Sequence, residues 1–367
     1  MTHRERLETA LNLGQPDQVP VTWELVDRCA LAFTGRTGWR AQCDAHRMIG
    51  SAIFNLQGVG PQIFCRLPSG YREESREVGV EDGWRVDEYR LTTPQGTLTS
   101  VTKHGGIKHD PLIHKNTERL IKTRDDWEVY ADYLDAWNAH AGYGVSEAAA
   151  ARDYIGDDGL VGHWCADALY SLSSVRREAD FILDLLDLPD TIDDLLRKVH
   201  QRIALAIRAF NESAAEVLIY DICWASTSLI NPELCERLVV PEAKWAVESI
   251  KPGKYIVFFT SGKIRDVLPM LVACKPHGIQ HLDVLGDCDL AEVKQSFGDQ
   301  VCLIGNYSPV VLAHGTVEEA RIEARRCIRA AAEGGAYFVS TSDEVPGDAK
   351  LDNMRAVVEV AETEGRY

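Results

Sequence analysis

Long apolar runs are missing from this sequence. Nowhere do the roughly 18 consecutive apolar residues of a membrane span occur. Dense Lys/Arg runs are missing too, and the formal net charge over 367 residues is -17. A general electrostatic affinity for nucleic acid or an anionic membrane surface needs a basic face, so neither is an expected partner. The opening Met1-Thr2-His3-Arg4-Glu5-Arg6 lacks the apolar core of a signal peptide. The ten cysteines are scattered singly with no Cys-x-x-Cys pair, which reads as reduced, mostly buried thiols behaving as small hydrophobes. No P-loop, GxGxxG, HExxH or GxSxG pattern is present, and no repeat or low-complexity tract stands out. These absences lead to the expectation of a cytoplasmic protein. What is present is ordinary globular usage, 45% hydrophobic and 26% charged, on a chain long enough for a substantial core.

The second half of the chain alternates apolar strands with helices. Leu218-Ile219-Tyr220-Asp221-Ile222, Tyr255-Ile256-Val257-Phe258-Phe259, Ile279-Gln280-His281-Leu282-Asp283-Val284, Val301-Cys302-Leu303-Ile304-Gly305-Asn306 and Ala336-Tyr337-Phe338-Val339-Ser340 read as strands. Helices are predicted over about 231–250, 263–274, 289–297, 316–333 and 350–364. Asn231-Pro232 supplies an N-cap and first-turn proline, and Thr316-Val317-Glu318-Glu319 fits a capping box. Strands apolar on both faces between helices indicate a parallel sheet, covered or closed. Earlier in the chain, after a helix at 3–12, three further strands are predicted: Val19–Trp23, Pro61–Leu67 and Gly159–Trp164. The total is eight, the number that closes a (β/α)8 TIM barrel. Trp84–Leu91 and Thr97–Val101 flank Pro94-Gln95-Gly96 and predict an antiparallel hairpin. With acidic helical sequence at 125–150, this makes 68–155 an expected insertion in a single barrel domain spanning 1–367.

Active sites of such barrels lie at the C-terminal ends of the strands. Those ends read Trp23 and Glu24; Arg66; His163, Trp164 and Cys165; Asp221 and Cys223; Phe259 and Ser261; Asp283; Asn306 and Tyr307; Ser342, Asp343 and Glu344. The set is polar, aromatic and acidic, suited to a small-molecule substrate. His163 and Cys165, two apart on a strand, point to one side and can share a zinc ion with Asp221 or Asp283 as oxygen ligand. The alternative is a hydrogen-bonding His163 with Cys165 simply buried. Asp221, Asp283 and Asp343 are candidate acid–base groups. Thr341-Ser342-Asp343-Glu344 either lines the mouth or caps the last helix.

Several blocks resemble the uroporphyrinogen decarboxylase superfamily: Arg4-Glu5-Arg6-Leu7-Glu8-Thr9-Ala10-Leu11 followed by Pro16-Asp17-Gln18-Val19-Pro20-Val21, Asn231-Pro232-Glu233-Leu234 with Pro241, Leu303-Ile304-Gly305-Asn306, and Gly334–Ser340. The likeness spans nearly the whole chain and is weakest between about 68 and 155. It implies a (β/α)8 barrel and either a porphyrinogen decarboxylase or a zinc methyltransferase that exchanges methyl groups with corrinoid proteins. The decarboxylases of the superfamily carry an arginine-rich segment after the first strand. Here that place reads Trp23-Glu24-Leu25-Val26-Asp27-Arg28, and the aspartate expected in a Phe-Ser-Asp pattern is replaced by Phe64-Cys65-Arg66. The methyltransferases carry His-x-Cys-Gly where this chain has Phe259-Thr260-Ser261-Gly262, and Ser342 or Asp343 stands near their last zinc-binding cysteine.

The expectation that follows is a demethylating small-molecule methyltransferase working with a corrinoid carried by a partner protein. Asp221, Asp283, Asp343 or Glu344 would be the general acid, assisted by His163. Trp23, Trp164, Phe259 and Tyr307 would form the walls, with Glu24, Ser261, Asn306 and Ser342 as further substrate contacts. Zinc, if retained, falls to His163, Cys165 and Asp221. The alternatives are a metal-free decarboxylase or lyase on a small carboxylic acid, or a non-catalytic small-molecule binder. The resemblance also implies a homodimer.

Overall fold

The computed structural model describes residues 1–107 and 110–367. The chain divides into two compact units, one made of 1–61, 146–165 and 210–367, the other of 62–145 and 166–209.

The first unit is the barrel. Strands Gly162–Ala166, Val217–Asp221, Tyr255–Phe259, Gly278–His281, Cys302–Gly305 and Tyr337–Phe338 form a parallel sheet in that order. Two short extended segments close it into a ring. Thr22 N–H donates to the Val339 carbonyl and Val339 N–H to that of Pro20; Ala52 N–H donates to Val21, and Leu160 N–H to Ile53. Parallel bridges Val21–Val339, Thr22–Ala52 and Ile53–Gly159 record the same contacts. The eight-stranded ring expected from the sequence is therefore present, with one correction. The second strand is 51–55, whereas Pro61–Cys65 pairs only with Ala141–Ser146.

Side chains alternate across the strands, so every second residue faces the ring interior. Ala52, Phe54, Leu160, Val217, Ile219, Val257, Cys302, Ile304 and Phe338 share one core cluster with Leu7, Ala10 and Leu11 of the helix His3–Leu11. That helix starts at a complete capping box of Thr2 and Glu5, and its apolar stripe plugs the ring. Burying each such leucine is worth about 1.5–3 kcal/mol. The Thr316 capping box and the Asn231 cap with Pro232 form as predicted. The predicted helix at 263–274 is shorter, Leu268–Ala273, because Ile264 and Arg265 N–H groups donate instead to the Asp287 carboxylate.

The second unit carries a four-stranded antiparallel meander: Arg72–Glu81, Trp84–Thr93, Gly96–His104 and His114–Glu118. Its central hairpin is the one predicted around Pro94-Gln95-Gly96. The expected insertion at 68–155 overlaps this unit over 68–145, apart from residues 108 and 109, which lie outside the described residues. Asp184 anchors the unit's helices, accepting from Trp127 Nε1 and Arg176 Nε, both at 2.9 Å, and from Arg124 Nε at 3.2 Å. Among the described residues no helix is long and apolar enough to cross a membrane.

Candidate active site

One buried ion pair lies where the C-terminal strand ends of the ring converge. His281 closes its strand and is fully buried, and its Nε2 lies 2.8 Å from Oε2 of Glu24. On the other side of the ring, Nδ1 lies 2.8 Å from the Thr341 carbonyl. A carbonyl only accepts, so Nδ1 carries a proton. One more proton then belongs to the Nε2–Oε2 contact, whether written as imidazolium with carboxylate or as neutral ring with carboxyl. Burial by itself lowers the His281 pKa. The hydrogen bond and charge of Glu24, the bond to Thr341 and the charge of Asp343 outweigh it, and the net shift from 6.5 is upward. The pair therefore holds its shared proton beyond the pH at which a free histidine releases it.

Two amides steady Glu24. Asn55 Nδ2 donates to Oε1 at 3.3 Å, and Gln280 Nε2 sits between Glu24 Oε2 at 3.5 Å and His281 Nε2 at 3.2 Å. The carbonyl oxygens of the same amides, Asn55 Oδ1 and Gln280 Oε1, are buried without a hydrogen-bond partner among the described residues, as is Ser340 Oγ. Phe259 sets its ring edge-on to the His281 imidazole, 4.3 Å between centroids. Gly305 lets the neighbouring strand lie against this site. Its φ is +146°, and a Cβ there would stand 2.3 Å from the His281 carbonyl oxygen.

Asp221 is the second buried acid, at the end of Val217–Asp221. Its Oδ1 accepts the Cys223 backbone N–H at 2.9 Å, and Trp164 hydrogen-bonds to its carboxylate. Burial raises its pKa, the Cys223 bonds oppose this, and the charge of Glu24 adds to the rise; the net shift is upward.

Of the residues expected from the sequence, the ring brings together Glu24, Trp164, Asp221 and Phe259. Asp343 is exposed, but its charge reaches His281. Ser261 lies half-buried beyond Phe259, and Ser342 is buried with its N–H on the Tyr307 carbonyl at 2.9 Å. Asp283 does structural work: its carboxylate accepts the N–H groups of Gly262 at 3.2 Å and Leu285 at 2.8 Å. Glu344 is paired with Arg28.

Four expectations are corrected, those for Trp23, Tyr307 and His163 by strand parity and that for Asn306 by its hydrogen bonds. Trp23 and Tyr307 pack edge-on at 5.8 Å, and the Tyr307 hydroxyl donates to the Ala320 carbonyl of the helix Val317–Ala331. Both therefore stand outside the ring and line no substrate wall. Asn306 donates its amide N–H to the Leu282 carbonyl, and its amide oxygen accepts from Arg326 of that same outer helix. His163 stacks on Phe210, 6.4 Å apart and 18° between planes. Its ring also fills the space a Cβ on Gly60 would need, and burial pushes its pKa down to about 4. Leu160 faces the interior, so His163 and Cys165 face outward while Asp221 faces inward. These three residues do not fit a common zinc ion. Among the described residues, no three His, Cys, Asp or Glu side chains come together as a metal set.

His281, Gln280 and Asn55 were not singled out from the sequence. The strand was read through to Asp283, whereas it ends at His281. Nothing in a lone histidine's neighbourhood announces a partner at the other end of the chain.

Residues 168–364 match the sequence profile of the family described as Uroporphyrinogen decarboxylase (URO-D). The chain belongs to this family. Within it, the chain is 26% identical over 127 residues to the uroporphyrinogen decarboxylase of Trichodesmium erythraeum (strain IMS101). That match covers 34% of each protein, so the chain spans about a third of the length of this curated relative. Among solved structures, a methyltransferase from Methanosarcina mazei superposes with a TM-score of 0.64 at 17% identity, covering 99% of this chain and 98% of that one. Such a likeness establishes the fold. Both of these relatives are enzymes.

Proposed function

We propose that this chain is a small-molecule methyltransferase of the demethylating type, taking a methyl group from an ether or amine and passing it to a corrinoid protein. The observation that supports the reading most is the buried Glu24–His281 pair, in a strand-end site whose other ionisable groups are acids. Asp221 and Asp343 flank it, and the Arg28 guanidinium is held by Glu344. A substrate with many carboxylates would meet like charge here without the arginines to offset it. A small methylated molecule meets a proton donor and an aromatic wall.

For an ether, the methyl–oxygen bond breaks with its electron pair left on oxygen. The proton shared by His281 Nε2 and Glu24 Oε2 moves to that oxygen, giving an alcohol or phenol, and solvent afterwards restores it. The methyl carbon takes its new bond from an electron pair supplied by the partner corrinoid protein. Thr341 keeps the other His281 proton on Nδ1, so that Nε2 is the atom that shares a proton with Glu24. Asn55 and Gln280 hold Glu24 in line, and Phe259 keeps water from the ring edge. Positioned proton transfer of this kind is worth about 10²–10⁴ in rate.

The test is transfer from methoxybenzenes and methylamines to reduced cobalamin, followed by its visible absorbance. His281→Gln is expected to lose about 10²–10⁴ of the rate. Undiminished transfer in that variant would refute the role of the pair. Carbon dioxide release from a small carboxylic acid, with no cobalamin methylated by any substrate, would instead establish the second reading. The similarity to a curated decarboxylase favours that reading, and it uses the same proton to quench the carbanion left by decarboxylation.

A further inference from the structure

We propose that Asp221 determines specificity by binding an ammonium group of the substrate, at the end remote from the atom that loses its methyl group. The inference rests on the methyl-transfer reading only for the location of the site. It starts from a count of donors and acceptors around Glu24. Asn55 and Gln280 give their N–H groups to the Glu24 carboxylate and leave two amide oxygens without partners, both on residues more than nine-tenths buried. Asp221 adds a carboxylate whose Oδ1 is used by Cys223. Ser340 adds a hydroxyl, which donates or accepts as required. Against these, the shared proton of Glu24 and His281 is the donor that the mechanism consumes. A ligand that satisfies this site must therefore bring N–H or O–H donors of its own, because an acceptor left unpaired when buried costs about 1–3 kcal/mol. An ammonium brings three donors and the opposite charge; an alcohol brings one; a carboxylate brings none and is repelled.

The spacing also fits. Asp221 stands beside Phe259 on the adjacent strand, and Phe259 stands beside Gln280 on the next. Two strand spacings put Asp221 about 10 Å from Gln280, the residue before His281, along the backbone, with Phe259 on the strand between them. A molecule with a methyl ether at one end and an ammonium at the other, separated by one aromatic ring, spans that gap with converging side chains. Trp164, 41% exposed and hydrogen-bonded to Asp221, offers an indole face to the same cation.

The experiment is calorimetric titration of the full chain, without any corrinoid, with three probes on one frame: 3-methoxybenzylamine, 3-methoxybenzyl alcohol and 3-methoxybenzoate. The amine is expected to bind about tenfold or more tighter than the alcohol, and the benzoate not at all. Asp221→Asn is expected to bring amine and alcohol within about threefold of each other. Equal binding of amine and alcohol, preference for the benzoate, or no binding of the amine at millimolar concentration overturns the proposal. The wild-type ranking decides this even where Asp221→Asn fails to fold. Amine preference without any methyl transfer would sink the reaction and keep the site. Transfer from the alcohol without amine preference would do the reverse.

Discussion

Replacing Glu24 should reverse the way pH acts on His281. In the native chain burial lowers the His281 pKa, and Glu24, with smaller help from the Thr341 bond and the Asp343 charge, more than offsets this. A histidine raised above its unfolded value near 6.5 contributes stability fully below that pH, and the contribution fades as pH rises through the folded pKa. Glu24→Gln removes the charge and leaves burial in command, so the folded pKa drops below 6.5. The variant then loses stability as pH falls, because its unfolded state binds a proton that its folded state refuses. A neutral ring keeps Nδ1–H on Thr341 and accepts from the new carboxamide, so the isosteric change costs about 1–2 kcal/mol near neutrality. Glu24→Ala leaves the buried ring and the amides of Asn55 and Gln280 without their acceptor and should cost about 3–5 kcal/mol.

The assay is urea denaturation of wild type and both variants from about pH 5.5 to about pH 8.5, bracketing the ordinary histidine value. The quantity to read is the difference between the curves, which cancels the other buried histidines. The wild-type advantage should be largest at the acid end and shrink toward the alkaline end. An advantage that is flat with pH, or that grows on the alkaline side, would refute the assignment of the shared proton.

His46 gives a separate acid sensitivity. It is fully buried with Nδ1 3.0 Å from Ser51 Oγ, and burial, aided by the charge of His3, pushes its pKa down to about 3. Stability should fall as pH drops from 6.5 toward 3, and His46→Gln should flatten that part of the denaturation curve. Asp184→Asn removes the charge that Arg124, Arg176 and Trp127 share, and should cost about 3–5 kcal/mol, read as lost hydrogen-exchange protection in the helices of 166–209. Phe338→Ala opens the ring interior opposite Phe54, which now lies 5.5 Å away edge-on. It should cost about 3–5 kcal/mol in urea denaturation.

Local signals carried the sequence reading where they were strong. The strands from Leu218 to Phe338 are apolar on both faces and punctuated by caps such as Asn231 and Thr316, so they were legible. The second ring strand was not: 51–55 makes only bridge-length contacts to either side, whereas Gln62-Ile63-Phe64-Cys65 alternates more like a strand. Glu24, Trp164, Asp221 and Phe259 could be placed at one end of the ring from the sequence because each lies at the end of a strand that could be located. Trp23, Tyr307 and Asn306 were misplaced because a strand end fixes neither the parity of a side chain nor which helix lies behind it. His163 was overweighted for its spacing to Cys165, and the parity that joins those two residues is what separates them from Asp221. His281 was missed because it exists as a functional group only through Glu24 and Thr341, which no local window contains.

The profile match beginning at residue 168 divides the site in a telling way. His281, Asp221 and Phe259 fall inside the stretch that carries the family's signature, while Glu24, Asn55 and Trp164 fall before it. The matched stretch supplies the imidazole; the stretch before it supplies the carboxylate that governs how tightly that imidazole keeps its proton, and the indole beside Asp221. Chimaeras exchanged near residue 168 would therefore separate the imidazole from the groups that tune its proton.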